Sequence, residues 1–221
     1  MNPPRLVIFD CDGVLVDSEP LTSRAMRDVL AHYGLNLDLD EIQARFHGVS
    51  NDQVHDTVLA HWGVLLPDDL VDRFEEAERV AVEDGLRAVP GVADAVRAVV
   101  GSGMAVCVGS NASPRAIEQR LKLTGLHPWF EGRLFSAALV ARGKPHPDVF
   151  LHAAETMGFS PSDCVVIEDS DAGVQAALAA GMRVLAYAAS PTSDVAHARR
   201  VERFADMASL PALLGIDGAQ A

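Results

Sequence analysis

The stretch "VIFDCDGVLVDSE", residues 7–19, sets an apolar run directly against two aspartates separated by one cysteine. Residues 5–9 (RLVIF) read as a buried strand, because an apolar run without polar alternation needs cover on both faces. Asp10 and Asp12 then stand at the end of that strand, and no Lys or Arg follows them until Arg24. Like charges placed there need a counter-charge brought from distant sequence.

From Glu19 to about Val89 the pattern turns helical. Leu21, Ala25, Val29 and Tyr33 form one apolar stripe, and Val54, Val58 and Trp62 form a second behind Ser50 as N-cap. Leu70, Phe74, Ala77 and Ala81 form a third, while Gly34, Gly48 and Gly63 sit where helices should end. No strand signal interrupts this block, so it reads as a helical domain inserted after the first strand. Beyond "VPGV" (89–92) strand-like and helical segments alternate. MAVCVGS (104–110), GRLFSA (132–137), CVVIED (164–169) and MRVLAYA (182–188) are the strands, with SPRAIEQRLKLTG, KPHPDVFLHAAETMG and DAGVQAALAAG as helices between them. Such alternation predicts a parallel sheet covered on both faces. The tail beyond Ala189 is less periodic, and only one short helix is expected there.

The 221 residues are 49% hydrophobic and 22% charged, enough apolar material for a large core. No stretch approaches the roughly 18 apolar residues of a membrane span, and the first apolar run is too short for a signal sequence, so a cytoplasmic location is the expectation. Cys11, Cys107 and Cys164 lie in or beside apolar runs with no metal or disulfide spacing, and read as buried free thiols. The net charge of −13 argues against nucleic acid or an anionic membrane as partner. That charge is uneven: Asp17 to Asp84 holds 16 acidic and 5 basic residues. Lysine occurs only at Lys122 and Lys144, against 16 arginines, which draws attention to each ammonium.

In an open α/β sheet, ligands bind at the carboxyl ends of the strands. The first strand ends in Asp10 and Asp12, a second in Ser110 and Asn111, and a later one in Glu168 and Asp169, while Lys144 occupies a Gly-Lys-Pro loop. Four carboxylates gathered there would each repel a neighbour by about 4 kcal/mol at an effective dielectric near 20. A hard divalent cation with one ammonium would relieve most of this, and Mg2+ fits, since it combines a few carboxylates with water and phosphate oxygens. The set suits phosphoryl transfer, with one aspartate as nucleophile and a carboxylate two residues on as acid and base. Lysine, serine and metal would stabilise the transferring group.

"FDCDGVLVDSE", "GSNAS", "GKPHPDVF" and "VIEDSDAG" closely resemble, in order, the four motifs of the haloacid dehalogenase-like hydrolase superfamily, nearest its helical-cap phosphatases and β-phosphoglucomutases. The resemblance runs from about residue 6 to 188. It implies an α/β fold, a Rossmann-like parallel sheet core (1–16 and 86–221) with an inserted helical-bundle cap domain (17–85), hinged near 14–19 and 83–90. It places the nucleophile on Asp10 and the acid/base on Asp12, which also offers a backbone carbonyl to the metal. Phosphate binding falls on Ser110, Asn111 and Lys144, and the metal set is Asp10, Asp12, Glu168 and Asp169. Asp171 falls at a variable position and reads as a surface residue at a helix start.

The activity expected is magnesium-dependent hydrolysis of a small phosphomonoester, a sugar or polyol phosphate, by a monomer through an aspartyl-phosphate. Dehalogenases of the superfamily lack the second aspartate and the metal site. The mutases resembling this chain carry cap cations where His47 and Asn51 stand, and a lysine where Ser113 stands; their absence here favours simple hydrolysis, with a phosphosugar mutase as the alternative. A non-catalytic binding protein of the same fold is a lesser alternative, and it predicts the loss of a motif residue. Arg45 and Asn51 are candidate substrate contacts, equally readable as a brace and a helix cap. His47 and His146 read as non-functional, His55 and His61 share no helix face, and Trp62 and Trp129 read as packing.

Overall fold

The computed structural model describes residues 3–46, 51–187 and 201–216. In chain order the elements are β1 (Leu6–Phe9), α1 (Glu19–His32), α2 (Leu39–Phe46), α3 (Asn51–Trp62) and α4 (Leu70–Gly85). They continue with α5 (Val92–Gly101), β2 (Ala105–Ser110), α6 (Pro114–Leu123), α7 (His127–Phe130), β3 (Leu134–Ser136) and α8 (Asp148–Met157). β4 (Cys164–Glu168), α9 (Asp171–Ala179), β5 (Arg183–Tyr187), β6 (Val201–Phe204) and α10 (Leu210–Leu213) follow among the described residues. Two compact units result, Met1–Asp17 with Arg87–Ala221, and Ser18–Leu86.

All four residues of β1 are buried because the strand is central. The sheet order is β3-β2-β1-β4-β5-β6, every pairing parallel. This is a Rossmann-like order in which the chain winds outward from β1, then crosses back to its other side. Phe9 lies opposite Val108 on β2 and Ile167 on β4, so the three strands end within two residues of one another at this switch point. Side chains alternate between the two faces. Leu6 and Ile8 join Cys107, Val166 and Val184 beneath Phe150 of α8 and Val174 of α9. On the other face Phe9 meets Phe130 of α7 edge-on, ring centroids 5.9 Å apart.

The expected helix in the tail is present as α10, but the periodicity gave no sign of β6. Its sequence is VERF, and Glu202 and Arg203 are exposed. An edge strand needs only one neighbour and no continuous apolar run, so its pattern is weak.

The unit Ser18–Leu86 is built from α1 to α4 around Met26, Leu30, Ile42, Val58, Leu70 and Phe74. The expected stripe on α1 is partly met, since Ala25 is buried, and the buried face extends to one side of it. Met26 and Leu30 face the interior, whereas Val29 and Tyr33 are only half-buried beside it. Phe46 stacks on Trp62 at 6.2 Å, closing α2 onto α3. His47, Gly48 and Ser50 lie outside the described residues, as does the side chain of Asn51, whose backbone begins α3.

Candidate active site

The site is assembled at the carboxyl ends of β1, β2 and β4. Asp10 directly follows β1, and its backbone N–H donates to the Ile167 carbonyl at 2.9 Å, continuing the ladder by one step. The chain then turns sharply: the Gly13 N–H donates to the Val16 carbonyl (2.8 Å), and the Val16 N–H donates to the Cys11 carbonyl (3.0 Å). Gly13 has φ +77°, and a Cβ there would lie 1.8 Å from Asp169 Oδ2. Both facts require glycine.

Lys144 is the centre of the cluster. Its ammonium donates to Asp10 Oδ1 and, at 2.5 Å, to Glu168 Oε1. It also lies 4.9 Å from the centroid of the buried Phe150 ring, and its side chain is only 4% exposed. The backbone of Lys144 is clamped by Asn111, whose Oδ1 accepts the Lys144 N–H (2.9 Å) and whose Nδ2 donates to the Lys144 carbonyl (3.3 Å). Gly143 permits this approach, since a Cβ there would come within 2.7 Å of Asn111 Oδ1. The clamping role of the Asn111 side chain was not legible in sequence, because its partner lies 33 residues away.

Glu168 is fully buried. While Oε1 takes Lys144, Oε2 accepts the backbone N–H groups of Asp169 and Ser170 and the Ser170 hydroxyl, each at 3.0 Å. Ser170 in turn caps α9 by accepting the Gly173 N–H at 3.1 Å. Four donors on one carboxylate satisfy what burial would otherwise penalise. Asp171 is the exposed first residue of α9.

Burial pushes the Asp10 carboxyl up to about 7, with the Lys144 ammonium opposing and the Glu168 and Asp12 charges reinforcing the rise. Burial also works against the Lys144 ammonium, but Asp10 and Glu168 more than reverse this and hold it above the ordinary lysine range. Carboxylate oxygens of Asp10, Glu168 and Asp169 lie within 4.8 Å of one another. Three facing carboxylates beside one ammonium leave a negative excess, and the donors are all hard oxygens. The set fits a hard divalent cation.

The Ser110 hydroxyl, at the end of β2, accepts the Ala112 N–H at 3.1 Å, which leaves its proton to be donated. The loop beyond it is braced by Ser136, which donates to the Ala112 carbonyl at 2.6 Å. Ser113 accepts the Ala116 N–H (3.3 Å) as N-cap of α6.

Asp12 points elsewhere: its Oδ2 accepts from Arg120 Nη1 of α6 at 2.6 Å. Sequence reading missed Arg120, although a signal existed. It sits between Ile117 and Leu121, the buried face of α6, where an arginine is out of pattern. Arg45, in the helical unit, stacks over the Trp62 ring at 5.2 Å and bonds His61 Nδ1 at 3.3 Å. His55 bonds the Pro67 carbonyl at 2.9 Å.

The model of the haloacid dehalogenase-like hydrolase family matches residues 4–181. The chain belongs to that family. It is 34% identical over 215 residues to the 6-phosphogluconate phosphatase of Escherichia coli, covering 96% of each chain. It is 36% identical over 177 residues to an Escherichia coli fructose-1-phosphate phosphatase, covering 80% of this chain and 92% of that one. Among solved structures, a haloacid dehalogenase family hydrolase of Deinococcus radiodurans with bound phosphate and sodium superposes with a TM-score of 0.81 at 32% identity, covering 98% of each chain. Among the described residues, no helix is long and apolar enough to cross a membrane.

Proposed function

We propose that this hydrolase is a magnesium-dependent phosphatase acting on a small sugar or polyol phosphomonoester through an aspartyl-phosphate. The observation that carries the reading is Lys144 bridging Asp10 and Glu168 beside Asp169 at adjoining strand ends. The phosphatase names of its relatives support the reaction class.

Asp10 is the nucleophile. Its carboxylate oxygen attacks phosphorus while the bond from phosphorus to the leaving alcohol oxygen breaks, and Asp12 delivers the proton that the alcohol needs. Water then attacks the phosphorus of the aspartyl-phosphate, Asp12 takes its proton, and phosphate leaves with Asp10 restored. Lys144 favours the ionised form of Asp10 against the effect of burial and neutralises a transferring oxygen. Ser110 donates its hydroxyl to another oxygen, and Asn111 holds the lysine loop against the phosphate-binding turn. Asp10, Asp169 and the Asp12 carbonyl would hold Mg2+, with Glu168 supporting the set through Lys144. The cation supplies charge neutralisation of the phosphoryl oxygens.

The block 17–85 acts as the cap that selects the leaving group, with Arg45 and Asn51 among its contacts. Its acidic excess favours an uncharged polyol or sugar portion bearing one phosphate. Ser113 is occupied as a helix cap where a mutase would place a cation, which favours hydrolysis over phosphate shuttling.

The test is phosphate release from fructose 1-phosphate, 6-phosphogluconate, hexitol phosphates and β-glucose 1-phosphate, with Mg2+ and with excess EDTA. Release that depends on Mg2+ is expected. Conversion of β-glucose 1-phosphate to glucose 6-phosphate without release would replace this reading with a mutase.

A further inference from the structure

We propose that Arg120 is a positioning residue for proton transfer, acting by fixing the direction of the Asp12 carboxylate. The inference rests on the hydrolase reading, in which Asp12 carries the proton.

Two observations support it. The first is the division of labour among the acidic groups. Asp10, Glu168 and Asp169 turn their oxygens toward one another, whereas the Asp12 carboxylate meets the Arg120 guanidinium at 2.6 Å. Lys144 organises one set and Arg120 holds the group outside it. The second is the setting of Arg120. Its side chain is only 11% exposed, on a helix face whose neighbouring members, Ile117 and Leu121, are fully buried. Taking a guanidinium out of water is costly unless a partner recovers the loss. Here the partner is a carboxylate at the end of the central strand, 108 residues away in sequence.

The helix that carries Arg120 is itself tied to the site. α6 is capped by Ser113, three residues after Ser110, and the intervening Ala112 bonds both Ser110 and Ser136. One rigid element therefore sets both the phosphate-binding turn and the direction of Asp12. A planar guanidinium constrains a carboxylate in angle as well as distance, which an ammonium does less well. A proton donor must lie within hydrogen-bond reach of the leaving oxygen, and a misplacement of about 1 Å can cost on the order of 100-fold in rate.

A merely structural brace between α6 and the turn after β1 would give the same contact, so the test must separate the two. The leaving group does so. A sugar alkoxide needs a proton as it departs, whereas p-nitrophenolate does not. kcat/KM reports the steps up to departure of the leaving group. Wild type, Arg120→Met, Arg120→Lys and Asp12→Asn are compared on p-nitrophenyl phosphate and on the sugar phosphate turned over best in the panel above. Thermal midpoints are recorded alongside.

Arg120→Met is expected to lower kcat/KM for the sugar phosphate roughly 10- to 100-fold and for p-nitrophenyl phosphate less than about threefold. Arg120→Lys should fall between Arg120→Met and wild type, and it serves alone if the methionine variant does not fold. Asp12→Asn should display the same split more strongly. If Asp12→Asn splits the substrates while both Arg120 variants lose equally on the two, or lose nothing, the positioning role is overturned and the hydrolase reading stands. If wild type releases phosphate from neither ester, or Asp12→Asn shows no split, the acid assignment itself fails and the inference falls with it.

Discussion

Lys144 and Glu168 form a 2.5 Å ion pair in which the lysine side chain is 4% exposed and the glutamate fully buried. The pair joins a loop ahead of α8 to the end of β4, and the same ammonium reaches back to Asp10 after β1. The nucleophile assigned here is thus held by a cation that is itself held by a second carboxylate. The arrangement is asymmetric: without Lys144 two carboxylates would be buried and unpaired, whereas without Asp10 the ammonium would still be paired with Glu168.

Removal of the cation or of the nucleophile should therefore have opposite effects on stability. Asp10→Asn deletes one of three facing carboxylates, so phosphate release should vanish while the thermal midpoint in EDTA stays level or rises. Lys144→Ala leaves Asp10 and Glu168 buried without their ammonium, a loss of about 3–5 kcal/mol and on the order of 10 °C in midpoint. Its turnover should also collapse. Thermal scans of the two variants beside wild type check this, and a rate for Lys144→Ala within threefold of wild type would place the working ammonium elsewhere.

Metal response should separate Asp169 from Glu168. The oxygens of Glu168 already accept from Lys144, Asp169, Ser170 and the Ser170 hydroxyl, so they have little left for a cation. Mg2+ is expected to raise the thermal midpoint of the wild type, and Asp169→Asn should abolish that rise. Glu168→Gln should keep most of that rise yet lose at least about tenfold in turnover, because Lys144 is no longer anchored. An equal loss of the Mg2+ response in both variants would make Glu168 a direct ligand.

The three thiols should be silent in the folded protein. Cys11, Cys107 and Cys164 are all buried, and burial pushes the Cys164 thiol up to about 11 and the other two also upward. Cys11 is additionally opposed by the charges of Asp12 and Asp10 on either side of it. A thiolate is the reactive form, so native protein should label with less than one equivalent of an aromatic disulfide reagent and unfolded protein with three. Rapid native labelling at Cys11 would mean the turn after β1 opens readily.

Much of this candidate site is legible in the sequence because its parts end local apolar runs and its residue types are distinctive. Asp10, Ser110 and Glu168 each end an apolar run, and a strand's end is readable from the run itself. Lys144 stood out by the rarity of lysine. What stayed hidden depends on tertiary approach. The Asn111 clamp and the Lys144 bond to Glu168 join residues 33 and 24 positions apart, and although Arg120 is out of pattern on its helix face, nothing near it names Asp12, 108 residues away, as the partner. β6 escaped for another reason: an edge strand with exposed Glu202 and Arg203 carries no period that distinguishes it from loop.

Two glycines report the same closeness of approach to the adjacent carboxylates Glu168 and Asp169. A Cβ on Gly173 would lie 1.8 Å from Glu168 Oε1, and one on Gly13 would lie 1.8 Å from Asp169 Oδ2. Glu168 is fully buried and held by four donors, so Gly173→Ala must displace either the carboxylate or the first turn of α9. That overpacking should cost about 1–3 kcal/mol and disturb Lys144 as well. Gly13→Ala adds the strain of φ +77° to the overlap, about 1–2 kcal/mol from the backbone alone. Asp169 is only half-buried, so its carboxylate is displaced more cheaply than that of Glu168 and the loss there should fall chiefly on the metal. The expected results differ accordingly. Gly13→Ala should raise the Mg2+ concentration needed for half-maximal rate by tenfold or more, whereas Gly173→Ala should lower the maximal rate at saturating Mg2+. Denaturant midpoints and Mg2+ titrations of both variants test the contrast, and an unchanged Mg2+ requirement in Gly13→Ala would remove Asp169 from the ligand set.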